Sequence, residues 1–203
     1  MQVTGGDDTR PGEFPFAALL GYVVERKVGG TRGSPGSIKK ETKWSCAGTL
    51  ITNRHVLTAA HCQGTTPERK ISKLRLGVWK VTGYGGGGGN KREELPAEQD
   101  FDIAVSAVRS HEGYATVYEN DHKNVVNDIA VIKLPRPATL NKGVQIACLP
   151  AFAQEFKNYL GISDEVFGLI GSNPTVIGWG KTQAHQLANW NGVGSVIQQK
   201  LKV

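Results

Sequence analysis

Two side chains in the 203-residue sequence are suited to proton transfer, and each adjoins an apolar run. His61 follows the run 56–60, and Asp128 stands immediately before the run 129–134. A carboxylate at the start of a buried strand needs hydrogen-bond donors, and a nitrogen of a histidine ring is one suitable donor. The residues alone leave other interpretations open, because His61 can be a structural core residue and Asp128 a turn or strand cap.

The sequence contains three cysteines, so at least one of them cannot pair within the chain. In an oxidising compartment they predict one disulfide and one remaining thiol, and in the cytosol they predict three thiols. Cys46 and Cys62 are 16 residues apart, with no Cys-x-x-Cys motif and no nearby histidine pair at zinc-finger spacing. A zinc site is therefore not expected.

The sharpest motif of the chain covers residues 44–62, with the sequence Trp-Ser-Cys-Ala-Gly-Thr-Leu-Ile-Thr-Asn-Arg-His-Val-Leu-Thr-Ala-Ala-His-Cys. This segment closely resembles the histidine region of the chymotrypsin/trypsin family of serine endopeptidases. The resemblance implies that His61 is the general base and that a disulfide between Cys46 and Cys62 holds it on a fixed turn. Closing that loop would also stabilise the fold by about 3 kcal/mol in the chain-entropy model.

Three further segments are similar to the same family. Residues 127–134, Asn-Asp-Ile-Ala-Val-Ile-Lys-Leu, resemble its aspartate strand, which implies that Asp128 orients the histidine and stabilises its cation. Residues 175–182, Thr-Val-Ile-Gly-Trp-Gly-Lys-Thr, resemble the strand that starts the second barrel. Val3 begins a Val-Thr-Gly-Gly segment that resembles the start of an activated family chain, so Val3 is the expected activation N-terminus.

Cys148 stands in Ala-Cys-Leu-Pro, which matches the family position that commonly joins the protease domain to its cleaved pro-segment. The expected partners are thus protein substrates and a pro-segment linked through Cys148, and the alternative for this cysteine is a free buried thiol. The loops before Trp44 and around 85–99 are similar to those of arthropod clip-domain proteases and their inactive homologues. The resemblance implies a secreted, extracellular zymogen.

Alternating apolar and polar residues predict short strands, and helix is scarce. The alternation is clearest at 74–78, 101–107 and 193–203, and a short helix is expected over 151–160. The pattern therefore predicts an all-β fold, and the resemblance implies two six-stranded antiparallel β-barrels, the second of them incomplete. The expected parts are a first barrel at about 3–135, a connection at 136–174 and the start of the second barrel at 175–203.

The sequence contains no Gly-Asp-Ser-Gly-Gly segment, which supplies the nucleophile and the oxyanion hole in the family. Ser195 lies in Gly-Val-Gly-Ser-Val and does not match it. We therefore expect the chain to stop short of the nucleophile and, alone, not to hydrolyse peptide bonds at a meaningful rate. Two functions stay open: a serine endopeptidase, and a non-catalytic homologue that acts as a binding or regulatory partner.

The net charge of +6 raises the question of nucleic acid. The densest basic segment, 25–43, lies among Gly, Ser and Pro without interleaved aromatic residues, which is typical of a solvated loop. Polyanion binding there is the less favoured alternative. The glycine run 85–89 lacks a Gly-Lys-Ser/Thr ending and is expected to be a flexible surface insertion, and the longest apolar run, 16–24, is too short to span a membrane.

No cofactor or metal is expected. Val78 follows Arg-Leu-Gly at the position where the family often has the first glutamate of a calcium loop. The remaining acidic candidates for oxygen ligands nearby are Glu93, Glu94, Glu98 and Asp100. The histidines that lack metal-ligand spacing and are expected to face solvent in loops are His111, His122 and His185.

Overall fold

The computed structural model describes residues 6–29, 36–64, 66, 69–81, 98–119, 122–149, 173–180, 195 and 197–202. The strands in this part of the chain are β1 (Asp7–Asp8), β2 (Ala17–Val28), β3 (Ser37–Thr52), β4 (His55–Thr58), β5 (Lys73–Leu76), β6 (Gln99–Asp102), β7 (Val108–Ser110), β8 (Ala115–Glu119), β9 (His122–Val126), β10 (Ala130–Lys133), β11 (Thr175–Gly178) and β12 (Gln199–Lys202). The helices described are two short 3-10 helices, Ala60–Gln63 and Val105–Ala107. The prediction of an all-β fold is confirmed.

The described residues divide into two compact units. The larger unit takes those between 10 and 79 and between 98 and 147. The smaller unit takes 6–9, 80–81 and the described residues from 148 onward. The division of the sequence into a first barrel, a connection and a second barrel stays a prediction. Within the described ranges, no helix has the length and hydropathy needed to cross a membrane.

The larger unit is built on an antiparallel sheet of seven strands in the order β6-β5-β2-β3-β4-β10-β7. β6 and β7 lie at opposite ends of this order, yet only residues 103–107 separate them along the chain. Such a segment reaches at most about 22 Å, whereas the outer strands of a flat seven-stranded sheet lie about 29 Å apart. The sheet must therefore curl until its two edges approach, which is the geometry of a barrel.

The connection between β6 and β7 corrects one prediction. The strand expected over 101–107 ends at Asp102, and Val105–Ala107 forms a 3-10 helix instead. Burial does not alternate through this segment, since Val105 is 52% exposed although it occupies an apolar position of the sequence pattern. The helix lies in the segment that joins β6 at one edge of the sheet to β7 at the other.

A single hydrophobic cluster fills the larger unit. On β5 the buried side chains are every second residue, as the sequence alternation predicts. β4 also buries every second residue, although its continuous apolar run predicted a strand buried on both faces. Burying each large apolar side chain contributes about 1.5–3 kcal/mol. The largest fully buried side chains are Leu20, Leu50, Ile71, Leu74, Leu76, Ile132, Leu134, Val56 and Val144.

The described part of the basic segment 25–43 lies mainly in strands, in contrast to the prediction of a loop. β2 and β3 pair along the whole of β2, with one register shift between Leu20 and Gly21, and form a long hairpin. From Glu25 to Glu41 every side chain that the structure describes is exposed. Glu25 stands directly opposite Lys40 and forms an ion pair with it at 3.3 Å. Opposite charges facing each other across two strands stabilise such a pair, which favours strands over a loop here.

A second hairpin, formed by β8 and β9, was not predicted. Its apolar side chains are exposed, including Tyr118 at 75%, so the segment shows no pattern of alternating burial. His122 begins β9 and is therefore in a strand, not in the loop that was expected. The hairpin stands apart from the seven-stranded sheet as a two-stranded sheet of its own.

The smaller unit contains an antiparallel sheet in the order β1-β12-β11. Thr9 donates its backbone N–H to the carbonyl of Gln198 at 2.9 Å, and its hydroxyl donates to the side-chain oxygen of Gln198 at 3.2 Å. β12 covers the last part of the strand predicted over 193–203. The helix predicted over 151–160 and the glycine run 85–89 lie outside the described residues.

Candidate active site

His61 lies in the 3-10 helix Ala60–Gln63, which a single residue, Ala59, separates from the end of β4. The preceding Ala60 is 2% exposed and belongs to the core, which fixes the start of the helix. At its end, the N–H of Gly64 donates to the carbonyl of His61 at 3.2 Å, with Gly64 at φ 69°. This position requires glycine, because a Cβ there would lie 2.3 Å from the carbonyl oxygen of Arg69.

The backbone on both sides of His61 is tied to β3. Cys62 forms a disulfide with Cys46 of β3, with the two Cα atoms 6.0 Å apart. Before the histidine, the hydroxyl of Thr58 donates to the carbonyl of Ala47 at 2.9 Å. The disulfide and this hydrogen bond limit the movement of the imidazole at two points, so the ring is held before any substrate is bound.

Asp128 lies two residues before β10. β10 pairs antiparallel with β4, and Ala130 lies opposite Thr58. The residues just after β4 and just before β10 therefore meet at the same end of this strand pair. That register brings Asp128 beside His61, although the two are 67 residues apart in the sequence.

The carboxylate of Asp128 binds His61 through both of its oxygens. The Nδ1 of the ring lies 2.6 Å from Oδ2, and the backbone N–H of His61 donates to Oδ1 at 2.8 Å. The side chain of Asp128 is 29% exposed and that of His61 is 58% exposed. The two contacts fix both the position of the ring and the direction from which the carboxylate approaches it.

The surroundings of Asp128 act on its pKa in opposite directions. Desolvation raises the pKa, but the hydrogen bonds from the ring and backbone of His61 and the charge of that ring lower it. The result is a pKa below the ordinary value of 3.8. The group is therefore an ionised carboxylate at neutral pH, which accepts hydrogen bonds and cannot donate one.

This carboxylate determines where the neutral His61 ring carries its proton. Because Oδ2 can only accept, the ring donates from Nδ1 and keeps a lone pair on Nε2. Nε2 lies 3.7 Å from the Sγ of Cys62, a weak contact that leaves the lone pair open to a stronger donor. The arrangement can accept a proton from a hydroxyl at Nε2 while Asp128 stabilises the imidazolium.

The sulfurs of Cys46 and Cys62 and a ring nitrogen of His61 lie within 4.8 Å of one another, a grouping compatible in distance with a metal ion. In this structure the two sulfurs are bonded to each other, so neither is a thiolate ligand. The chemistry of the group thus does not suit zinc.

Two carboxylates that were considered as calcium ligands are bound by an arginine instead. Arg75 of β5 contacts Glu98 at 3.1 Å and binds Asp100 through Nε at 2.5 Å and through a second nitrogen at 2.7 Å. The hydrogen bond to Asp100 raises the pKa of Arg75, and the nearby charges act in the same direction against desolvation. A guanidinium thus already neutralises these oxygens. Glu93 and Glu94 lie outside the described residues.

The remaining residues that the sequence singled out are Cys148 and Val3, together with Ser195, which was not expected to be the nucleophile. Cys148 is a free, exposed cysteine, so the alternative of a buried thiol is wrong. Val3 lies outside the described residues. In the smaller unit, the hydroxyl of Ser195 accepts hydrogen bonds from the backbone of Ile197 at 3.3 Å and from the side chain of Gln199 at 3.2 Å. The hydroxyl of Ser195 thus bonds to residues close to it in the sequence.

Asn127 is the residue of the site that the sequence interpretation missed. It has φ 53° and so bends the chain immediately before Asp128. The signal was present in the sequence, since asparagine is among the few residues with a side chain that adopt this conformation readily. The motif Asn-Asp drew attention to the acid alone.

Comparison with known proteins gives a consistent result. The chain matches the family model described as "Trypsin" over residues 3–201. It is 34% identical over 185 residues to phenoloxidase-activating factor 3 of Holotrichia diomphalia, and this alignment covers 90% of this chain and 44% of that protein. It is 35% identical over 153 residues to CLIP domain-containing serine protease B9 of Anopheles gambiae, which covers 74% of this chain and 33% of that protein. The chain therefore spans less than half the length of these relatives.

The comparison with solved structures also supports the fold. The Drosophila Grass clip serine protease of the Toll pathway matches with a TM-score of 0.60, over 100% of this chain and 47% of that one. The two sequences are 24% identical, so the likeness concerns the fold. It confirms the trypsin-like, all-β architecture that the sequence predicted.

Removing the disulfide should weaken the fold around His61. We expect the double variant Cys46→Ser/Cys62→Ser to lower the free energy of unfolding by about 3 kcal/mol, because the unfolded chain regains the freedom of the opened loop. Urea denaturation without reductant measures the change. Cys148→Ser is the matched control, since this cysteine is free and exposed, and should change the free energy by less than about 0.5 kcal/mol. Equal effects of the two replacements would contradict the assignment of the disulfide.

Asp128→Asn should remove a pH-dependent part of the stability. A carboxyl group whose pKa is lower in the folded chain stabilises the fold above its unfolded pKa and loses that contribution as the pH falls through the folded pKa. Between about pH 5 and pH 3, the free energy of unfolding should therefore fall more steeply in the unmodified chain than in the variant. Urea titrations at several pH values measure both slopes.

Asp7→Asn, which removes an exposed carboxylate of β1, is the charge-matched control for that experiment. The same slope in the Asp128→Asn and Asp7→Asn variants would show that the His61 contacts do not lower the pKa of Asp128.

Proposed function

Because the chain belongs to the trypsin family of serine endopeptidases and is of the arthropod clip-domain type, we propose that its larger unit supplies the acid–base part of a catalytic triad. His61 is the general base in this proposal, and Asp128 is the carboxylate that orients it. The observation that carries the proposal is the double contact of Asp128 with the ring and the backbone of His61.

The proposed reaction is the hydrolysis of a peptide bond through an acyl-enzyme. A serine hydroxyl attacks the carbonyl carbon while Nε2 of His61 takes its proton, and the resulting imidazolium then gives that proton to the leaving amine. Water repeats the same steps to release the acyl group. Asp128 serves both halves of the reaction, because it keeps the ring in one tautomer and stabilises its cation.

The nucleophile of this proposal stands in a Gly-Asp-Ser-Gly-Gly segment, and the 203 residues contain none. The oxyanion hole comes from the backbone of that same segment in the family. These 203 residues by themselves are therefore expected to have no peptidase activity. Electrostatic stabilisation of the oxyanion is commonly the largest part of such catalysis, so a proton acceptor alone does not replace it.

The remaining parts of the proposal concern activation and location. Val3 is the residue whose amine is freed when a zymogen is cleaved, and Cys148 is the attachment point of a disulfide-linked pro-segment. Cys148 supports this because it is free and exposed, as an anchor for another segment must be. A disulfide between Cys46 and Cys62 supports a secreted protein, since such bonds persist in oxidising compartments. The proposed substrates are proteins.

A non-catalytic homologue that acts as a binding or regulatory partner is the second candidate. The exposed, basic part of the β2–β3 pair supports it, because such a surface can contact another protein while the fold is kept. The transcript beyond the codon for Val203 distinguishes the two candidates. An intact Gly-Asp-Ser-Gly-Gly there supports the endopeptidase, and glycine in place of the serine supports the homologue.

The purified 203-residue chain should not hydrolyse an arginyl ester above the rate of the buffer blank. The physical reason is that proton transfer has no hydroxyl to act on and no oxyanion site to assist it. A fluorogenic ester assay measures the rate, with His61→Ala as the matched control. Turnover that disappears in the His61→Ala variant would contradict the statement that these residues are inactive alone.

NMR of ¹⁵N-labelled histidine tests the proposed pair directly. Neutral His61 should carry its proton on Nδ1, whereas neutral His111 should carry it on Nε2, because His111 Nδ1 accepts the N–H of Gly113 at 3.0 Å. His111 thus provides an internal reference of the opposite tautomer. A neutral His61 with its proton on Nε2 would contradict the proposed base.

The variant Asp128→Asn should reverse the tautomer of His61. An asparagine has one oxygen, and the backbone N–H of His61 requires it as an acceptor. The amide NH₂ then faces Nδ1, so the ring must accept there and carry its proton on Nε2. The signals of His111 should stay unchanged. Retention of the Nδ1 proton in the variant would show that the carboxylate does not choose the tautomer.

A further inference from the structure

Asn127 has an unusual backbone conformation next to the proposed catalytic pair. Among the residues that the structure describes, it is the non-glycine residue with positive φ, at 53°. This left-handed conformation is unfavourable for most side chains, and asparagine tolerates it better than most. A strained position of this kind persists when neighbouring contacts hold it in place.

A hydrogen bond of its side chain holds this conformation. The Nδ2 of Asn127 donates to the carbonyl oxygen of Gly113 at 2.9 Å. Gly113 belongs to the turn between β7 and β8, which two further hydrogen bonds fix. The N–H of Gly113 donates to His111 Nδ1 at 3.0 Å, and the N–H of His111 donates to the carbonyl of Ile129 at 2.9 Å. Asn127 is thereby connected to a turn that is anchored at the start of β10.

The backbone on the far side of Asp128 is also closed by a hydrogen bond. The N–H of Ile129 donates to the carbonyl of Asn127 at 2.8 Å, which forms a three-residue turn with Asp128 at its centre. The peptide groups on either side of Asp128 therefore have fixed directions. The side chain of Asp128 leaves the backbone in a direction that these two peptide groups determine.

We infer that Asn127 is a positioning residue for the Asp128–His61 pair. The inference rests on the proposed function. Each oxygen of Asp128 must meet a different N–H of His61, so a small rotation of the carboxylate breaks one of the two contacts. Asn127 prevents that rotation by linking the turn around Asp128 to the carbonyl of Gly113.

The test is the rate at which the Nδ1 proton of His61 exchanges with water, measured by NMR on the 203-residue chain. Asn127→Ala loses the amide and disfavours the left-handed turn, and we expect the exchange rate to rise about tenfold, the effect of weakening one hydrogen bond. Asn127→Gly loses the amide but adopts positive φ freely, so strain does not prevent its folding. It should also raise the rate, by less than the alanine variant does.

Gly113→Ala disturbs the same hydrogen bond by changing the residue that accepts it. A Cβ at this position would lie 2.9 Å from the Nδ2 of Asn127, so the amide must move away while Asn127 itself stays in the sequence. Gly113 is not among the described glycines with positive φ, so alanine fits its backbone. We expect the exchange rate of the His61 proton to rise in this variant as well.

Asn141→Gly is the matched control, because Asn141 also braces a turn, with its side-chain oxygen accepting the N–H of Gly143 at 2.8 Å. This variant should leave the exchange rate of the His61 proton unchanged. Wild-type exchange rates in both Asn127 variants would overturn the inference if Asp128→Asn still reverses the tautomer of His61. If the unmodified chain carries no proton on Nδ1, the proposed function fails first and the inference fails with it.

Discussion

The pairing of β4 with β10 is the constraint on which the candidate site depends. A register with Ala130 opposite Thr58 places the residues after one strand beside the residues before the other. A shift of one residue would turn the side chains of β10 to the opposite face of the sheet and separate the acid from the histidine. The apolar side chains of both strands favour this register, because it places Val56 opposite Ile132 with both fully buried.

Local chemistry alone indicated that Asp128 needs hydrogen-bond donors, and the family resemblance was needed to name His61 as its partner. Asp128 precedes a run of apolar residues, and a carboxylate in that position needs donors nearby, which the ring and backbone of His61 provide. The strands β4, β5 and β10 were predicted because their side chains alternate or are β-branched. The disulfide partner of Cys62 required the family resemblance, since three cysteines allow more than one pairing.

Other features could not be predicted, because they depend on contacts between distant segments. The exposed hairpin of β2 and β3 is stabilised by pairs such as Glu25 with Lys40, and its composition resembles that of a loop. The apolar side chains of β8 and β9 are exposed and show no alternation of burial. The role of Asn127 depends on the carbonyl of Gly113, which is 14 residues away and belongs to a different turn. Single-residue preferences carry no information about such partners.

The hairpin of β2 and β3 divides into two parts that change independently. Near the core, β2 and β3 are held by their other neighbours, β5 and β4, and by the disulfide at Cys46. Toward the tip, the two strands contact mainly each other and water. Residues can therefore be inserted or lost there in pairs, one in each strand, without moving the strand that carries Cys46. Evolution can therefore change the length of the hairpin, and with it the surface that the hairpin contacts, while the chemistry beside His61 stays the same.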